Sequence, residues 1–131
     1  MPFSLSDTFP DRKPLVAMIH VPALPGTPAY QNNWPAVLKK VRQEAELLAT
    51  AGVDALLIEN MHDTPYSARI VGPEIVSSMT AVALAVKNIA PNLPCGIQIL
   101  AGANQAALAV ALAADLQFIR AEGFVFGHLA D

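Results

Sequence analysis

Four short apolar runs in this chain each end on, or carry, a residue able to do chemistry. Leu15-Val16-Ala17-Met18-Ile19-His20 closes on an imidazole, and Ala55-Leu56-Leu57-Ile58-Glu59 closes on a carboxylate followed by the Asn60 amide. Cys95-Gly96-Ile97-Gln98-Ile99-Leu100 holds an amide between two isoleucines, and Gln117-Phe118-Ile119-Arg120 closes on a guanidinium, with Glu122 just beyond it. Brought together, such groups can move protons, hold an anion or bind a hard cation. His20 and Glu59 are the acid/base candidates. Asn60, Asp63, Gln98, Arg120 and Glu122 are candidates for ligand contacts. Asn104 joins them, because the free backbone N–H groups of Gly102-Ala103-Asn104 at a helix start can receive a phosphate.

Each candidate also has a purely structural reading. His20 can be a strand-end histidine bonded to a neighbouring carbonyl, and Glu59 with Arg120 can be a structural ion pair. Gln98, flanked by Ile97 and Ile99, needs a polar partner wherever it is buried, and that partner can be protein or ligand. Asp63-Thr64-Pro65 is ordinary turn chemistry. Glu59, His62 and Asp63 match no familiar metal-ligand spacing, so no metal site is assigned. Cys95 reads as a buried packing residue, and Met18, Met61 and Met79 as core or loop filler.

The elements that must position these groups alternate strand and helix. Residues 1–14 are polar and read as a lead-in, and the four apolar runs read as strands. Val21 to Trp34, with Pro22, Pro25, Gly26 and Pro28, is a loop long enough to suggest function, and Asn60 to Gly72 is a second. Pro35 suits a first helical position, with Val37, Val41, Ala45 and Leu48 at helical spacing and Gly52 as a left-handed cap. Pro73 and Glu74 open the next helix, striped by Ile75, Met79, Val82, Val86 and Ile89 and ended by Pro91 and Pro94. Asn104 suits the N-cap of an Ala-rich helix running to about Ala114. Asp115 stands where glycine is usual between helix and strand, and the residues from Ala121 to Asp131 read as another loop.

Four β/α units with right-handed crossovers give a parallel sheet covered by helices. A weak echo between residues 51–59 and 114–120 fits a fold built by repeating that unit. The expected fold is therefore α/β and TIM-barrel-like, with about four strands of a (β/α)8 barrel, whose full form takes roughly 250 residues. Residues 15–131 are read as the N-terminal half of such a domain. Ligand sites in these folds lie at the C-terminal ends of the strands, where the polar residues fall.

Composition narrows the partners. The chain has 131 residues, 53% of them hydrophobic and 15% charged, which is too apolar for a disordered segment. Its longest apolar stretch, Ala106 to Ala114, stops well short of the roughly eighteen residues of a membrane span. Net charge is −3, and the only basic pairs are Arg12-Lys13 and Lys39-Lys40, too few to grip a nucleic-acid backbone. A single cysteine cannot form an internal disulfide and suits a reducing compartment. The N-terminus, with Asp7 and Asp11 and no apolar core, reads as neither a secretory signal nor an Arg-rich presequence, so the expected location is cytoplasmic.

The wording of these segments resembles the BtpA/SgcQ family. The resemblance rests on residues 18–28 (MIHVPALPGTP), residues 52–60 (GVDALLIEN), Gly72-Pro73-Glu74 with Met79-Thr80, residues 96–100 (GIQIL) with Ala107-Leu108, and residues 118–124 (FIRAEGF). It implies a TIM-barrel-like fold about twice this length, a link to photosystem I biogenesis in cyanobacteria, and a link to sugar and sugar-phosphate metabolism in other bacteria. Two functions follow. One is an enzyme-type barrel that binds a small ligand, of the sugar-phosphate kind, with Arg120 as the anion clamp. The alternative is a non-catalytic assembly or stability factor acting through protein partners. A half barrel also exposes its inner face and two strand edges. Each large apolar side chain left in water forfeits about 1.5–3 kcal/mol, so the chain is expected to form a homo-oligomer or to be completed by a C-terminal half.

Overall fold

Leu56, Ile58, Cys95 and Ile97 alternate along their runs with Leu57, Glu59, Gly96 and Gln98, so two faces of an extended chain are defined before any pairing is known. A computed structural model describes residues 5–9 and 13–125. A single helical turn, α1 (Leu5–Thr8), lies in the expected lead-in. It precedes β1 (Val16–His20), α2 (Trp34–Ala51), β2 (Ala55–Glu59), α3 (Pro73–Ile89), β3 (Cys95–Gln98), α4 (Asn104–Ala113) and β4 (Phe118–Ile119). The strands form one parallel sheet in the order β1-β2-β3-β4, the arrangement of TIM-barrel-type β/α units. Residues 126–131 of the expected last loop lie outside the described residues.

One face of the sheet packs under the helices. Ile19, Leu56, Ile58, Cys95 and Ile97 join Val37, Val41, Met79, Val82 and Val110 in one apolar core. Burial falls off outward: β2 and β3 are buried at every position, whereas β1 and β4 are largely half-exposed. Helix α3 sits between α2 and α4 and is buried on more than its apolar stripe, so Ser78, Ala83 and Ala85 are covered as well. Ile89, the last member of that stripe, is instead 36% exposed at the helix end. Cys95 is buried, and desolvation pushes its thiol up to about 12, which suits a packing role. Among the described residues, no helix is long and apolar enough to cross a membrane.

The helix boundaries show which local signals prevail. Helix α2 begins at Trp34, one residue before Pro35, because the Asn33 side chain accepts the Ala36 N–H at 3.1 Å and caps the turn. Gly52 ends it in the left-handed conformation, with φ +80°. Asp115 also takes a positive φ, +52°, at the turn into β4. Its carboxylate pairs with Lys87 Nζ at 3.0 Å, which ties the end of α3 to that turn. Asn104 is not the N-cap of α4. Ala103 holds that position with no side-chain cap, and the Asn104 amide is used elsewhere.

Two glycines separate conformational from steric demand. A Cβ at Gly52 would meet nothing within 4 Å, so Gly52→Ala carries only the left-handed backbone penalty, about 1–2 kcal/mol. A Cβ at Gly96 would run into the Phe118 ring, so Gly96→Ala must displace that ring at about 1–3 kcal/mol. Chemical denaturation of both variants should show these losses. Adding Phe118→Leu should restore part of the stability of Gly96→Ala and none of that of Gly52→Ala.

Candidate functional site

The parallel register sets the polar residues side by side. His20 pairs with Glu59 across β1 and β2, and Glu59 with Gln98 across β2 and β3. Ile97 pairs with Ile119, so Arg120 follows at the level of Gln98. Because side chains alternate, these four project on the same face as Met18, Leu57 and Phe118, opposite the helix-covered core. The result is a polar row along the C-terminal edge of the sheet.

Within that row Glu59 is the hub. It is only 4% exposed. One carboxylate oxygen lies 3.4 Å from His20 Nε2, and the other accepts a hydrogen bond from Arg120 Nη2 at 3.1 Å. Arg120 Nε donates to Gln98 Oε1, and Gln98 Nε2 donates to Glu122 Oε2 at 3.0 Å. Buried Gln98 thus finds the partners its apolar neighbours demand, with its oxygen toward a cation and its nitrogen toward an anion. The same Glu122 oxygen accepts the Gly102 N–H at 3.1 Å. The backbone donor considered for a phosphate at the start of α4 is therefore met by a carboxylate of the protein itself. Asn104 supports this contact, donating to the Glu122 carbonyl at 2.9 Å and accepting the Glu122 N–H at 3.2 Å.

Asn60 and Asp63 sit apart from the row and hold loops. Asp63 Oδ1 accepts the Leu24 N–H at 2.8 Å and Oδ2 accepts from the Asn60 amide at 2.9 Å. Asn60 Oδ1 accepts the Leu100 N–H at 2.7 Å. This buried chain staples the loop after β1 to the loop after β2 and to the residues following β3. Burial pushes the Asp63 pKa above its ordinary 3.8, against the opposing pull of the hydrogen bonds from Asn60 and Leu24.

An open cavity of about 520 Å³ lies over the polar row. Beyond His20, Glu59, Gln98, Arg120 and Glu122, its walls include Met18, Met61 and Tyr66. Sequence reasoning took the two methionines for filler and passed over Tyr66. Strand alternation from His20 was the signal for Met18, and the long loop after β2 was the signal for the other two. The Tyr66 hydroxyl donates to the Met61 carbonyl at 2.6 Å. Desolvation first, then the carboxylates of Glu59, Asp63 and Glu122, hold its pKa above 10.0, which keeps the phenol protonated.

The sheet and its polar edge define a β/α-unit protein of TIM-barrel type with a cavity at the C-terminal strand ends. More narrowly, the chain belongs to the BtpA family, whose family model matches residues 11–131. It is 53% identical over 124 residues to an uncharacterized mitochondrial protein of Caenorhabditis elegans, covering 91% of this chain and 45% of that relative. It is 34% identical over 116 residues to the photosystem I biogenesis protein BtpA of Synechocystis, covering 88% and 40% respectively. An uncharacterized protein of Pyrococcus horikoshii is 38% identical over 110 residues, covering 84% and 42%. The chain thus spans less than half the length of these relatives. No solved structure matches it significantly.

Asp63→Ala removes the acceptor for two buried donors, and each unmet donor costs about 1–3 kcal/mol. Denaturant titration should show a loss in that range or above. Its pH dependence has a definite sign. With the folded-state pKa raised, the folded chain binds more protons than the unfolded chain between 3.8 and the raised value. The wild-type advantage over Asp63→Ala should therefore grow as pH falls through that window and shrink as it rises.

Proposed function

We propose that the strand ends form part of a small-molecule site, in which His20 and Glu59 exchange a proton with the ligand and Arg120 holds one of its oxygens. The observation that carries this reading is the buried Glu59 carboxylate, divided between His20 and Arg120 beneath an open cavity. A carboxylate held in place by a guanidinium fixes the neighbouring imidazole ring. That ring, 45% exposed, stays available to the cavity as acid or base. Tyr66 adds a protonated phenol at the wall.

The charges favour a polyhydroxylated ligand. Glu59 and Glu122 accept hydrogen bonds and set two negative charges against the single guanidinium of Arg120. Arg120 is engaged through Nε and Nη2, while Nη1 faces Met18 Sδ at 4.0 Å and is the donor best placed for the ligand. For a sugar phosphate, the hydroxyls would meet Glu59 and His20 and one phosphate oxygen would meet Nη1. Arg120 is then a one-point clamp, and the remaining phosphate contacts come from outside these four strands, in keeping with the phosphate loops of many barrels. Asn60, Asp63 and Asn104 support the site by holding its loops. A reducing compartment such as the cytoplasm belongs to the same proposal, supported by the single, buried cysteine.

The test is an NMR titration of this chain, and of the intact C. elegans relative, with ribose and ribose 5-phosphate. Resonances at the strand ends should shift. Glu59→Gln should weaken binding about ten- to hundredfold, the equivalent of a charged hydrogen bond worth about 1.5–3 kcal/mol. Arg120→Gln should weaken the phosphorylated sugar more than the free one. If neither sugar moves the strand-end signals in either protein, the proposal fails. Tolerance of both substitutions, together with a stable protein partner, would instead support a non-catalytic assembly or stability factor; the Synechocystis relative is named for photosystem I biogenesis.

A further inference from the structure

The methionines among the described residues have different surroundings. Met79 is fully buried in the core. Met61, 40% exposed, and half-buried Met18 both border the open cavity over the polar row. Each of these two has a donor group beside its sulfur. The Tyr66 hydroxyl lies 3.9 Å from Met61 Sδ, but its single hydrogen goes to the Met61 carbonyl at 2.6 Å. Arg120 Nη1 lies 4.0 Å from Met18 Sδ, while Arg120 bonds Glu59 and Gln98 through its other nitrogens. A thioether is a weak acceptor, so Nη1 is only weakly engaged by it.

We propose that Met18 is a site of reversible oxidation by peroxide, and that Arg120 Nη1 holds the resulting sulfoxide. In the forward step a sulfur lone pair attacks one oxygen of hydrogen peroxide. The S–O bond forms as the O–O bond breaks, and sulfur gives up two electrons. The displaced hydroxide takes the proton of the transferred oxygen and leaves as water. In the return step the dithiol of a methionine sulfoxide reductase supplies two electrons and two protons, becomes a disulfide, and the oxygen departs as water. The sulfoxide oxygen carries negative charge and is a strong acceptor. Placed between Sδ and Nη1, it closes the 4.0 Å gap with a hydrogen bond of ordinary length, about 2.9 Å. The guanidinium meets that charge as it develops, which speeds attack at Met18 relative to Met61. The consequence for the site rests on the sugar-phosphate reading above: the nitrogen left for a phosphate oxygen is then taken by the protein's own sulfoxide.

The experiment treats the 131-residue chain with dilute hydrogen peroxide and follows each methionine by peptide mass spectrometry. Met18 should gain oxygen about threefold faster than the more exposed Met61, and buried Met79 should resist. Arg120→Gln should cancel that lead and leave the Met61 rate unchanged, with continued resistance of Met79 showing that the variant is folded. A second measurement needs no change at Arg120. Its Nε–H signal in the NMR spectrum should move on oxidation and return with the reductases and dithiothreitol, and peroxide should not move it in Met18→Leu. Oxidation of Met18 no faster than Met61, a lead that survives Arg120→Gln, or an unmoved Arg120 signal would each overturn the proposal. Ribose 5-phosphate tests the consequence. The oxidised chain should bind it about tenfold more weakly and ribose as before, with recovery on reduction. If the reduced chain binds neither sugar, the site reading fails by itself, and the oxidation pattern still decides for or against Met18.

Discussion

Parallel strands that start in phase end in phase, and the candidate site depends on that constraint. Val16 opposite Ala55 and Leu57 opposite Gly96 carry His20, Glu59 and Gln98 to one level, with Arg120 arriving beside them after β4. A slip of one residue in any strand would turn its polar end toward the helices and an apolar side chain toward the cavity. The core residues on the other face resist that slip, since Ile19, Leu56, Ile58 and Ile97 would all be drawn out of the apolar layer. The hydrophobic face of the sheet thus stabilises the register of the polar edge without touching it.

Around that edge, charge is kept satisfied by local exchange. Glu59 and Glu122 lie at either end of a chain that runs through Arg120 and Gln98, and Glu122 also meets the backbone at the start of α4. Every buried side-chain nitrogen and oxygen among the described residues has a hydrogen-bond partner. Polar groups so paired hold the loops in a single arrangement, whereas unpaired ones in a low dielectric would favour rearrangement.

Much of this was visible in the residues. The four strands, three long helices and two long loops follow from apolar periodicity, from proline and from Gly52, and the family resemblance agrees with them. The convergence of His20, Glu59, Gln98 and Arg120 was readable because each closes or occupies a strand. The roles of Asn60, Asp63 and Asn104 were not, because their partners are backbone groups of Leu24, Leu100 and Glu122, some 18 to 40 residues away in sequence. Spacing cannot reveal such pairings. The helix start at Trp34 was missed for a related reason: the Asn33 cap competes with the Pro35 signal, and only the geometry shows that both are used one residue apart. Tyr66 escaped notice because it lies in a loop, where periodicity has nothing to report.

The order of the strands in the sheet is their order along the chain. Among the described residues no strand is inserted between two earlier ones, α3 meets α2, and α4 meets α3. Each strand pairing therefore closes a loop of a few tens of residues, whose entropy must be met before the pairing stabilises anything. Each later β/α unit packs on the face its predecessor leaves, so the sheet extends in one direction along the chain like courses of brick.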